Sequence, residues 1–382
     1  MTTSSNRAEA TKSAAADEEL RFGFGANWAD YVKRHFSDER VEIAQRHLLS
    51  VLKLPDLSGK TFLDIGCGSG LHSLAAFRAG ARSIVSFDYD PNSVATAHKL
   101  HQLAGGPPHW IIMQGSVLDS AFMNGLSKAD IVYSWGVLHH TGEMWNAIAN
   151  AAGRLHEDSV FYIALYSSDV FTDPPASYWL DVKRTYNRST LLKKRWMDWE
   201  YAWNNIIRHE LVNRRNPFKA IRAYKRSRGM SYWHDVRDWL GGYPMEFAGH
   251  RETEAFCRGR GLQLVHVRAG EANTEFVFRP EGARNYWDEV LGRTPLHDMP
   301  GPFSHVDGFA WRAQLPASAV GTPDTFMLYE NGIPVGWPRQ QHHLISAWGQ
   351  GRYVVEPNTL LFSATDNSDP NQQRYQFRPD FF

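Results

Sequence analysis

The stretch Phe62-Leu-Asp-Ile-Gly-Cys-Gly-Ser-Gly70 (FLDIGCGSG) places three glycines at alternate positions directly after a short apolar run. The residues from Thr61 to Ile65 have the composition of a buried strand, and LHSLAAFRAGA after the glycines has the spacing of a helix with one buried face. Alternate glycines allow a tight turn and a close approach of a ligand to the backbone. The stretch therefore predicts a strand, a ligand-binding turn and a helix in succession.

Strand and helix patterns continue to alternate along the next hundred residues. Further strands are predicted at 83–90, 110–115, 129–135 and 160–166, and helices at 91–103 and 144–155. Pro91 stands at a first-turn position of its helix, where proline is favoured. Strands that alternate with helices at this spacing predict an α/β fold with a doubly wound, mostly parallel sheet covered on both faces.

In such a sheet, ligands bind beyond the carboxyl ends of the strands, so the residues that follow each strand are expected to share one site. Asp88 ends the second strand about 20 residues after the glycines, where a carboxylate can accept both hydroxyls of a ribose. Asp64 in the first strand would repel a phosphate but favour a cation, which argues against a dinucleotide. A nucleoside ligand is predicted. The other strand ends contribute Gly115, Ser116, Val117, Trp135 and Gly136.

Residues 60–166 resemble the class I S-adenosylmethionine-dependent methyltransferases, which have a Rossmann-like sheet. The resemblance is carried by FLDIGCGSG, the acidic strand end FDYD, the turn GSVLD and the segment YSWGVLHH, in that order. It implies S-adenosylmethionine as cofactor. It also implies which residues contact the cofactor. The methionine and ribose part contacts Asp64, Gly66 and Gly68. The ribose hydroxyls contact Asp88, and the adenine edge contacts Ser116 and Val117.

Several residues near these motifs have two interpretations. The glycines can serve tight packing alone. Cys67 is either a reactive thiol or a small buried side chain, and Tyr89 either packs or covers the adenine. In similar methyltransferases, an aromatic N-terminal segment closes over the methionine end of the cofactor. The segment RFGFGANWADYVKRHFSDER, with Phe24, Asn27 and Trp28, has that role or is a helix packed against the core.

Methyl transfer to an oxygen requires alignment of the acceptor with the sulfonium methyl group and removal of a proton. The candidate bases at the strand ends are His139, His140 and Tyr166, with His72 at the start of the first helix after the glycines. Alternatively, one of the paired histidines caps the helix that begins near Gly142. No metal site is predicted, because His342 and His343 lack partners and a metal is optional for this chemistry.

Residues 170–245 are predicted to be a helical insertion over the acceptor site. Between Lys183 and Arg228 there are fourteen Lys or Arg and three acids, so the local charge is 14 − 3 = +11. This predicts an anionic partner: a phosphate-bearing sugar or lipid intermediate, an anionic membrane surface, or RNA. The alternative is a solvated basic helix. Nucleic acid is disfavoured because the sequence contains no recognisable RNA-binding module.

The 382 residues predict one large core and an accessory domain, with zero formal net charge overall. We divide them into a disordered tail (1–20), a methyltransferase domain (21–280) and a small β-rich domain (284–382). Two cysteines, no apolar run of membrane-spanning length and a polar start predict a cytoplasmic protein. The last segment is similar to tails of bacterial surface-glycan biosynthesis proteins, or is a dimerisation or structural module.

Three functions are consistent with these features. The first is O-methylation of a sugar, a glycan or a related anionic intermediate. The second is O- or C-methylation of a small molecule, as in quinone biosynthesis or other secondary metabolism. The third is a non-catalytic binding protein that retains the cofactor fold, against which the intact Asp64, Gly66, Gly68 and Asp88 weigh.

Overall fold

The structure is a computed structural model that describes residues 37–169, 174–228, 232–270, 273–316, 319, 326–336 and 338–379. The predicted tail at 1–20 lies outside these residues. So does the aromatic segment with Phe24, Asn27 and Trp28. Both therefore stay predictions from sequence.

A seven-stranded sheet forms the centre of the fold. Its strands are β1 (Thr61–Ile65), β2 (Ser83–Asp88), β3 (Trp110–Gln114), β4 (Ala129–Trp135), β5 (Leu155–Tyr166), β6 (Leu262–Ala269) and β7 (Asn273–Pro280). The helices beside it are α1 (Asp38–Leu52), α2 (Leu71–Arg78), α3 (Pro91–Leu103), α4 (Ser120–Gly125), α5 (Met144–Ala152) and α11 (His250–Arg258), with a 3₁₀ turn at Leu138–His140.

The strand order is β3-β2-β1-β4-β5-β7-β6. Strands β1 to β5 are parallel, and β7 lies antiparallel between β5 and β6. The chain runs outward from β1 to β3 and then crosses to β4 on the other side of β1, so the order reverses between β1 and β4. A crevice forms at such a reversal, beyond the carboxyl ends of the strands. The predicted doubly wound, mostly parallel fold is confirmed.

Both faces of the sheet are apolar because helices cover both. On β1, Leu63 and Ile65 pack into one buried cluster with Ile163, whereas Phe62 packs on the opposite face with Tyr133. Helix α3 has the predicted bounds. Strand β5 begins five residues before its predicted start, because its first residues extend the pairing with β4.

Five helices occupy the described part of residues 170–245. They are α6 (Ala176–Arg188), α7 (Leu191–Ala202), α8 (Arg208–Val212), α9 (Pro217–Arg228) and α10 (Tyr232–Gly241), with a π-helical segment (Trp203–Ile207) that joins α7 to α8. They have their own buried cluster, which includes Tyr186, Met197 and Leu240. Among the described helices, none is both long and apolar enough to cross a membrane.

The chain after β7 forms two four-stranded antiparallel sheets. The strands are β8 (His297–Asp298), β9 (Ser304–Asp307), β10 (Ala310–Gln314), β11 (Met327–Glu330), β12 (Ile333–Pro334), β13 (Tyr353–Val355), β14 (Thr359–Phe362) and β15 (Tyr375–Arg378). Two helices interrupt this β-rich region and were not expected from its sequence: α12 (Tyr286–Arg293), whose first turn the Asn285 side chain caps, and α13 (His342–Trp348).

The C-terminal sheets are joined to the central sheet by buried contacts. Trp287 and Met327 belong to the same apolar cluster as Val277 of β7. A guanidinium nitrogen of Arg251 in α11 lies 2.5 Å from a carboxylate oxygen of Glu330 in β11. The ion pair joins β11 to the helix that precedes β6, and removal of Arg251 would leave the buried Glu330 carboxylate without this cation.

Candidate cofactor and acceptor site

The turn between β1 and α2 depends on glycine geometry. Gly66, Gly68 and Gly70 have φ angles of 72°, 53° and 81°. The backbone nitrogens of Gly66 and Cys67 donate hydrogen bonds to the carbonyl oxygen of Phe87, at 2.9 and 3.0 Å. A Cβ atom at position 66 would lie only 2.3 Å from Cγ1 of Val137. Glycine is therefore required at position 66 for both its backbone conformation and its packing.

Asp88 links this turn to the end of β2. Its two carboxylate oxygens accept hydrogen bonds from the backbone nitrogens of Gly68 and Asp90, each at 2.9 Å. Burial raises the pKa of Asp88, and these backbone hydrogen bonds oppose the shift. Since each carboxylate oxygen has two lone pairs, both oxygens retain the capacity to accept a hydroxyl group.

Asp64 lies buried beneath the glycine turn. One carboxylate oxygen accepts a hydrogen bond of 2.5 Å from the Ser73 hydroxyl, whose oxygen is 2.7 Å from that of Ser86. Burial raises the pKa of Asp64 to about 7, although the Ser73 hydrogen bond acts in the opposite direction. A nearby cation would favour the ionised form of this carboxyl group and lower its pKa.

The adenine-side candidates lie at the ends of β2 and β3. Tyr89 follows Asp88 and is 54% exposed. Ser116 is half-buried and its hydroxyl accepts the backbone N–H of Leu118 at 3.2 Å, while Val117 is buried. Gly115 has a packing constraint, because a Cβ there would lie 2.2 Å from the Phe122 ring. The Tyr89 ring is thus the most accessible of these groups to a ligand.

Three further candidates flank the crevice at β1 and β4. Cys67 is buried, and burial raises the pKa of its thiol well above the usual value, which keeps it protonated and unreactive. Trp135 is partly exposed at the end of β4, and its indole nitrogen donates to Glu275 at 2.8 Å. At Gly136, which has a φ of 75°, a Cβ atom would have no atom of the described residues within 4 Å, so the backbone there has open space beside it.

The paired histidines and Tyr166 lie together at the ends of β4 and β5. The His139 ring centroid is 4.3 Å from those of both His140 and Tyr166. His139 is fully buried, and among the described residues neither of its ring nitrogens has a hydrogen-bond partner. Burial lowers the pKa of His139 well below its ordinary value, so the ring is neutral. His140 is partly exposed, and its Nδ1 lies 2.7 Å from the carbonyl oxygen of Pro244.

The helical insertion and the segment after it form an aromatic wall over this group. The Tyr166 ring centroid lies 5.6 Å from that of Trp239 in α10 and 6.3 Å from that of Phe247. Lys183 of α6 is buried, with its ammonium nitrogen 4.3 Å from the Trp239 ring centroid and a hydrogen bond to the Trp239 carbonyl oxygen. The insertion thus contacts the carboxyl end of β5 directly.

Glu275 of β7 is a buried polar centre that the sequence pattern did not reveal. Its Oε1 lies 2.6 Å from Nε2 of His47 and accepts hydrogen bonds from Trp135 and the Tyr162 hydroxyl, the latter at 2.9 Å. Burial alone would raise its pKa, but these hydrogen bonds outweigh burial and lower the pKa to about 2. The one available signal was a lone acid in the apolar run TEFVFRP.

The methyltransferase domain family matches residues 35–221, which span β1 to β5, the glycine turn, Asp88 and most of the insertion. This match and the strand order define the class. The chain carries the fold of a class I S-adenosylmethionine-dependent methyltransferase. S-adenosylmethionine is the methyl donor of this class.

Similarity to individual proteins is confined to parts of the chain. The ribosomal protein L11 methyltransferase of Histophilus somni is 46% identical over 43 residues, 11% of this chain and 14% of that protein. The L11 methyltransferase of Helicobacter hepaticus is 28% identical over 144 residues, 38% of this chain and 41% of that protein. The chain therefore matches less than half the length of these relatives.

Two solved structures are similar at low identity. An O-methyltransferase family protein of Burkholderia thailandensis is 15% identical, with a TM-score of 0.42, 64% of this chain covered and 58% of that one. The magnesium protoporphyrin IX methyltransferase of Synechocystis with bound SAH is 14% identical, with a TM-score of 0.41, 70% of this chain covered and 98% of that one.

The residues at the crevice fit S-adenosylmethionine. Asp88 has acceptor capacity for hydroxyl groups, and the turn at Gly66 and Gly68 presents backbone without side chains. The buried carboxyl of Asp64 beneath this turn suits a cationic ligand, because a positive charge favours its ionised form.

Proposed function

We propose that this protein transfers a methyl group to a hydroxyl oxygen of a sugar, a glycan or a related anionic intermediate. The observation that carries the proposal is His140, which stands at the end of β4 beside Tyr166, with its Nδ1 bonded to a backbone carbonyl. An oxygen acceptor of ordinary sugar acidity needs a base, and an oriented imidazole meets that need at neutral pH.

We assign the cofactor to the crevice between β1 and β4. When bound there, S-adenosylmethionine supplies a methyl group already activated by its sulfonium. Asp88 accepts the ribose hydroxyls, the backbone at Gly66 and Gly68 lines the methionine and ribose part, and Asp64 provides a carboxylate beneath the turn.

The remaining assignments concern the rim of the crevice. Ser116 and Val117 follow β3 and line the adenine edge, and Gly115 before them leaves room for the Phe122 ring. The exposed Tyr89 ring covers the adenine. We also assign to the cofactor site a separate group, which flanks the crevice at β1 and β4 and comprises Cys67, Trp135 and Gly136.

His140 is the better candidate base of the two histidines. Its Nδ1 must carry a proton because the Pro244 carbonyl only accepts, so Nε2 is the basic nitrogen of the neutral ring. His139 is buried against Tyr166 and supports the neighbouring ring. Burial raises the pKa of Tyr166, so its hydroxyl stays protonated and serves to position the acceptor.

The anionic character of the acceptor is inferred from the insertion. The insertion has a net charge of +11 between Lys183 and Arg228, and Trp239 of the same insertion contacts Tyr166. Basic side chains on this element raise the local concentration of an anionic acceptor near the crevice. A phosphate-bearing sugar or glycan intermediate has both the negative charge and the hydroxyl group that the site requires.

A second candidate is methylation of a planar aromatic acceptor, such as a phenol of the quinone-biosynthesis type. The aromatic rings of Tyr166, Trp239 and Phe247 favour it, because they form a wall suited to a flat ligand. A phenol also ionises more readily than a sugar hydroxyl, so it depends less on a base.

The test is a methyl-transfer assay with isotopically labelled S-adenosylmethionine and three acceptor panels: neutral sugars, sugar phosphates and nucleotide sugars, and phenols. We expect turnover with the phosphorylated sugars, and loss of that turnover in Asp88→Ala and His140→Ala. Turnover confined to phenols would replace the first proposal with the second. Cofactor binding without turnover on any panel, or on co-purified metabolites, would favour the non-catalytic alternative.

A further inference from the structure

The helical insertion exposes an unusual concentration of large apolar side chains. Seventeen such side chains are exposed among the described residues, and nine of them lie between positions 178 and 218. These nine are Tyr178, Leu191, Leu192, Trp196, Trp199, Trp203, Leu211, Val212 and Phe218. More than half of the exposed large apolar side chains therefore occupy about a ninth of the chain, which marks an interaction surface.

Four of them lie on one side of a helix, and together with the exposed Leu191 at the start of the same helix they make up what we call the docking face: Leu191, Leu192, Trp196, Trp199 and Trp203. From Leu192 they recur at spacings of four, three and four residues, as expected for one side of a helix. Leu191 and Leu192 are 81% and 85% exposed, and Trp196 is 60% exposed.

The opposite side of α7 is already occupied. Met197 and Ala202 are buried in the core of the insertion with Val236 and Leu240 of α10. Helix α7 thus has two apolar sides, one packed inside the protein and one exposed. On the second side, Trp199 packs on Trp233 of α10 with 4.8 Å between the ring centroids, whereas the more exposed Leu191, Leu192 and Trp196 require another explanation.

Basic residues surround the docking face. Lys193 and Arg195 are exposed within the same helix, and Arg208, Arg214 and Arg215 are exposed beyond it. Within the described residues, none of these five forms an ion pair with an acid. Of the two acids in α7, Asp198 is buried and bonded to Tyr186 and Arg237, whereas Glu200 is exposed. The five exposed basic residues on and near the docking face therefore outnumber the exposed acid Glu200, and the local charge is positive.

We propose that the docking face binds the surface of an anionic phospholipid membrane. Leucine and tryptophan side chains enter the boundary between headgroups and acyl chains, while the surrounding Lys and Arg contact lipid phosphates. This combination of an apolar helix side and flanking basic residues is typical of helices that lie in the membrane interface. The inference is independent of the reaction proposed above.

Charge and chemistry disfavour the other occupants. A second copy of the chain in a two-fold dimer would bring the same basic face against itself, and like charges would repel. RNA would satisfy the Lys and Arg, and tryptophans can stack on bases, but Leu191 and Leu192 would gain little from a polyanion. An anionic membrane satisfies the leucines, the tryptophans and the basic residues together.

The test is binding of the full chain to vesicles, with phosphatidylcholine alone compared with an equal mixture of phosphatidylcholine and phosphatidylglycerol. We expect sedimentation with the anionic vesicles only, weakening with added salt, and quenching of tryptophan fluorescence by brominated lipids. The double variant Leu191→Ser/Leu192→Ser should lower the partition coefficient about tenfold or more. The pair Lys193→Glu/Arg195→Glu should lower it similarly.

The matched control is Leu103→Ser/Ile111→Ser, which changes two other exposed apolar side chains, 67% and 53% exposed, away from the insertion. It should bind vesicles like the unmodified protein. Absence of binding to anionic vesicles, or equal loss in the control, would overturn the proposal. So would a salt-insensitive dimer, seen by sedimentation velocity, that only the Leu191→Ser/Leu192→Ser variant dissociates. Binding to RNA but not to vesicles would also overturn it.

Discussion

The Nδ1 atom of His140 lies 2.7 Å from the carbonyl oxygen of Pro244. This hydrogen bond joins the 3₁₀ turn after β4 to the last residues of the helical insertion, 104 residues later in the chain. It fixes both the tautomer and the orientation of the imidazole, as a second group commonly does for a functional histidine. The insertion and the central sheet thus jointly determine where the basic nitrogen stands.

The first prediction concerns this histidine. Replacement of His140 by Ala should lower kcat by about 10²- to 10⁴-fold, because the acceptor hydroxyl loses its base. Affinity for S-adenosylmethionine should change little, and one ionisation should disappear from the pH–rate profile. Steady-state kinetics over a range of pH with a turned-over acceptor provide the measurement.

His139→Ala is the comparison for this variant. Because His139 is fully buried, its loss should lower the melting temperature more than the loss of His140. If both variants retain near-normal rates and an unchanged pH profile, neither histidine is the base. Alignment alone, or an acceptor that ionises unaided, would then account for the reaction.

The second prediction concerns Asp88. Replacement by Ala removes the carboxylate that we assign to the ribose hydroxyls and also leaves the backbone N–H groups of Gly68 and Asp90 without their acceptor. We expect affinity for S-adenosylmethionine to fall about 10²-fold by calorimetry. Asp56→Ala is the control, since Asp56 likewise accepts a backbone N–H, from Ser58, but precedes β1. Equal affinity in Asp88→Ala and Asp56→Ala would disprove the cofactor assignment.

The parts of the fold that sequence predicted well are those with local determinants. Helix α3 begins at Pro91 and ends at Leu103 as expected, because its capping Asp90 and its apolar spacing are contained in the segment itself. The pairing of His140 with Pro244 and of Trp135 with Glu275 joins residues more than a hundred positions apart. No periodicity encodes such contacts, so the sequence left His139 and His140 as equal candidates, and our proposal of His140 as the base uses contacts that only the structure provides.

A third prediction follows from the carboxyl group of Asp64, whose pKa burial raises to about 7. A cationic ligand favours the ionised form, so binding below pH 7 must release a proton from this group. We expect affinity for S-adenosylmethionine to rise with pH up to about 7 and then level off. Calorimetry in buffers of different ionisation enthalpy counts the protons released. Asp64→Asn should bind S-adenosylmethionine more weakly and without this pH dependence. If the pH dependence of the affinity is unchanged in the variant, it arises from a group other than Asp64.

The fourth prediction concerns Gly66. Ala at this position would place Cβ 2.3 Å from Val137 and would also occupy a φ of 72°. The backbone conformation costs about 1–2 kcal/mol and the overpacking about 1–3 kcal/mol more. Gly105→Ala separates the backbone cost from the overpacking cost, since Gly105 has a φ of 87° but a Cβ there would have no atom of the described residues within 4 Å. Urea denaturation should rank Gly66→Ala well below Gly105→Ala, with partial recovery in Gly66→Ala/Val137→Ala. Equal losses would mean that Val137 moves aside freely.

The last prediction concerns Lys183, a buried lysine whose pKa burial lowers to about 7. Lysine in the unfolded chain titrates near 10.4, so between about pH 7 and pH 10 the unfolded state binds one more proton than the folded state. Stability contributed by this position therefore rises with pH across that range and is flat below it.

Lys183→Met keeps the length of the side chain and removes the titration. Urea denaturation measures the free energy of unfolding of both proteins. As the pH rises from about 7 to about 10, this free energy should increase for the unmodified protein relative to Lys183→Met by roughly 1 kcal/mol per pH unit. Parallel stability curves across this range would show that the ammonium group stays charged beside the Trp239 carbonyl.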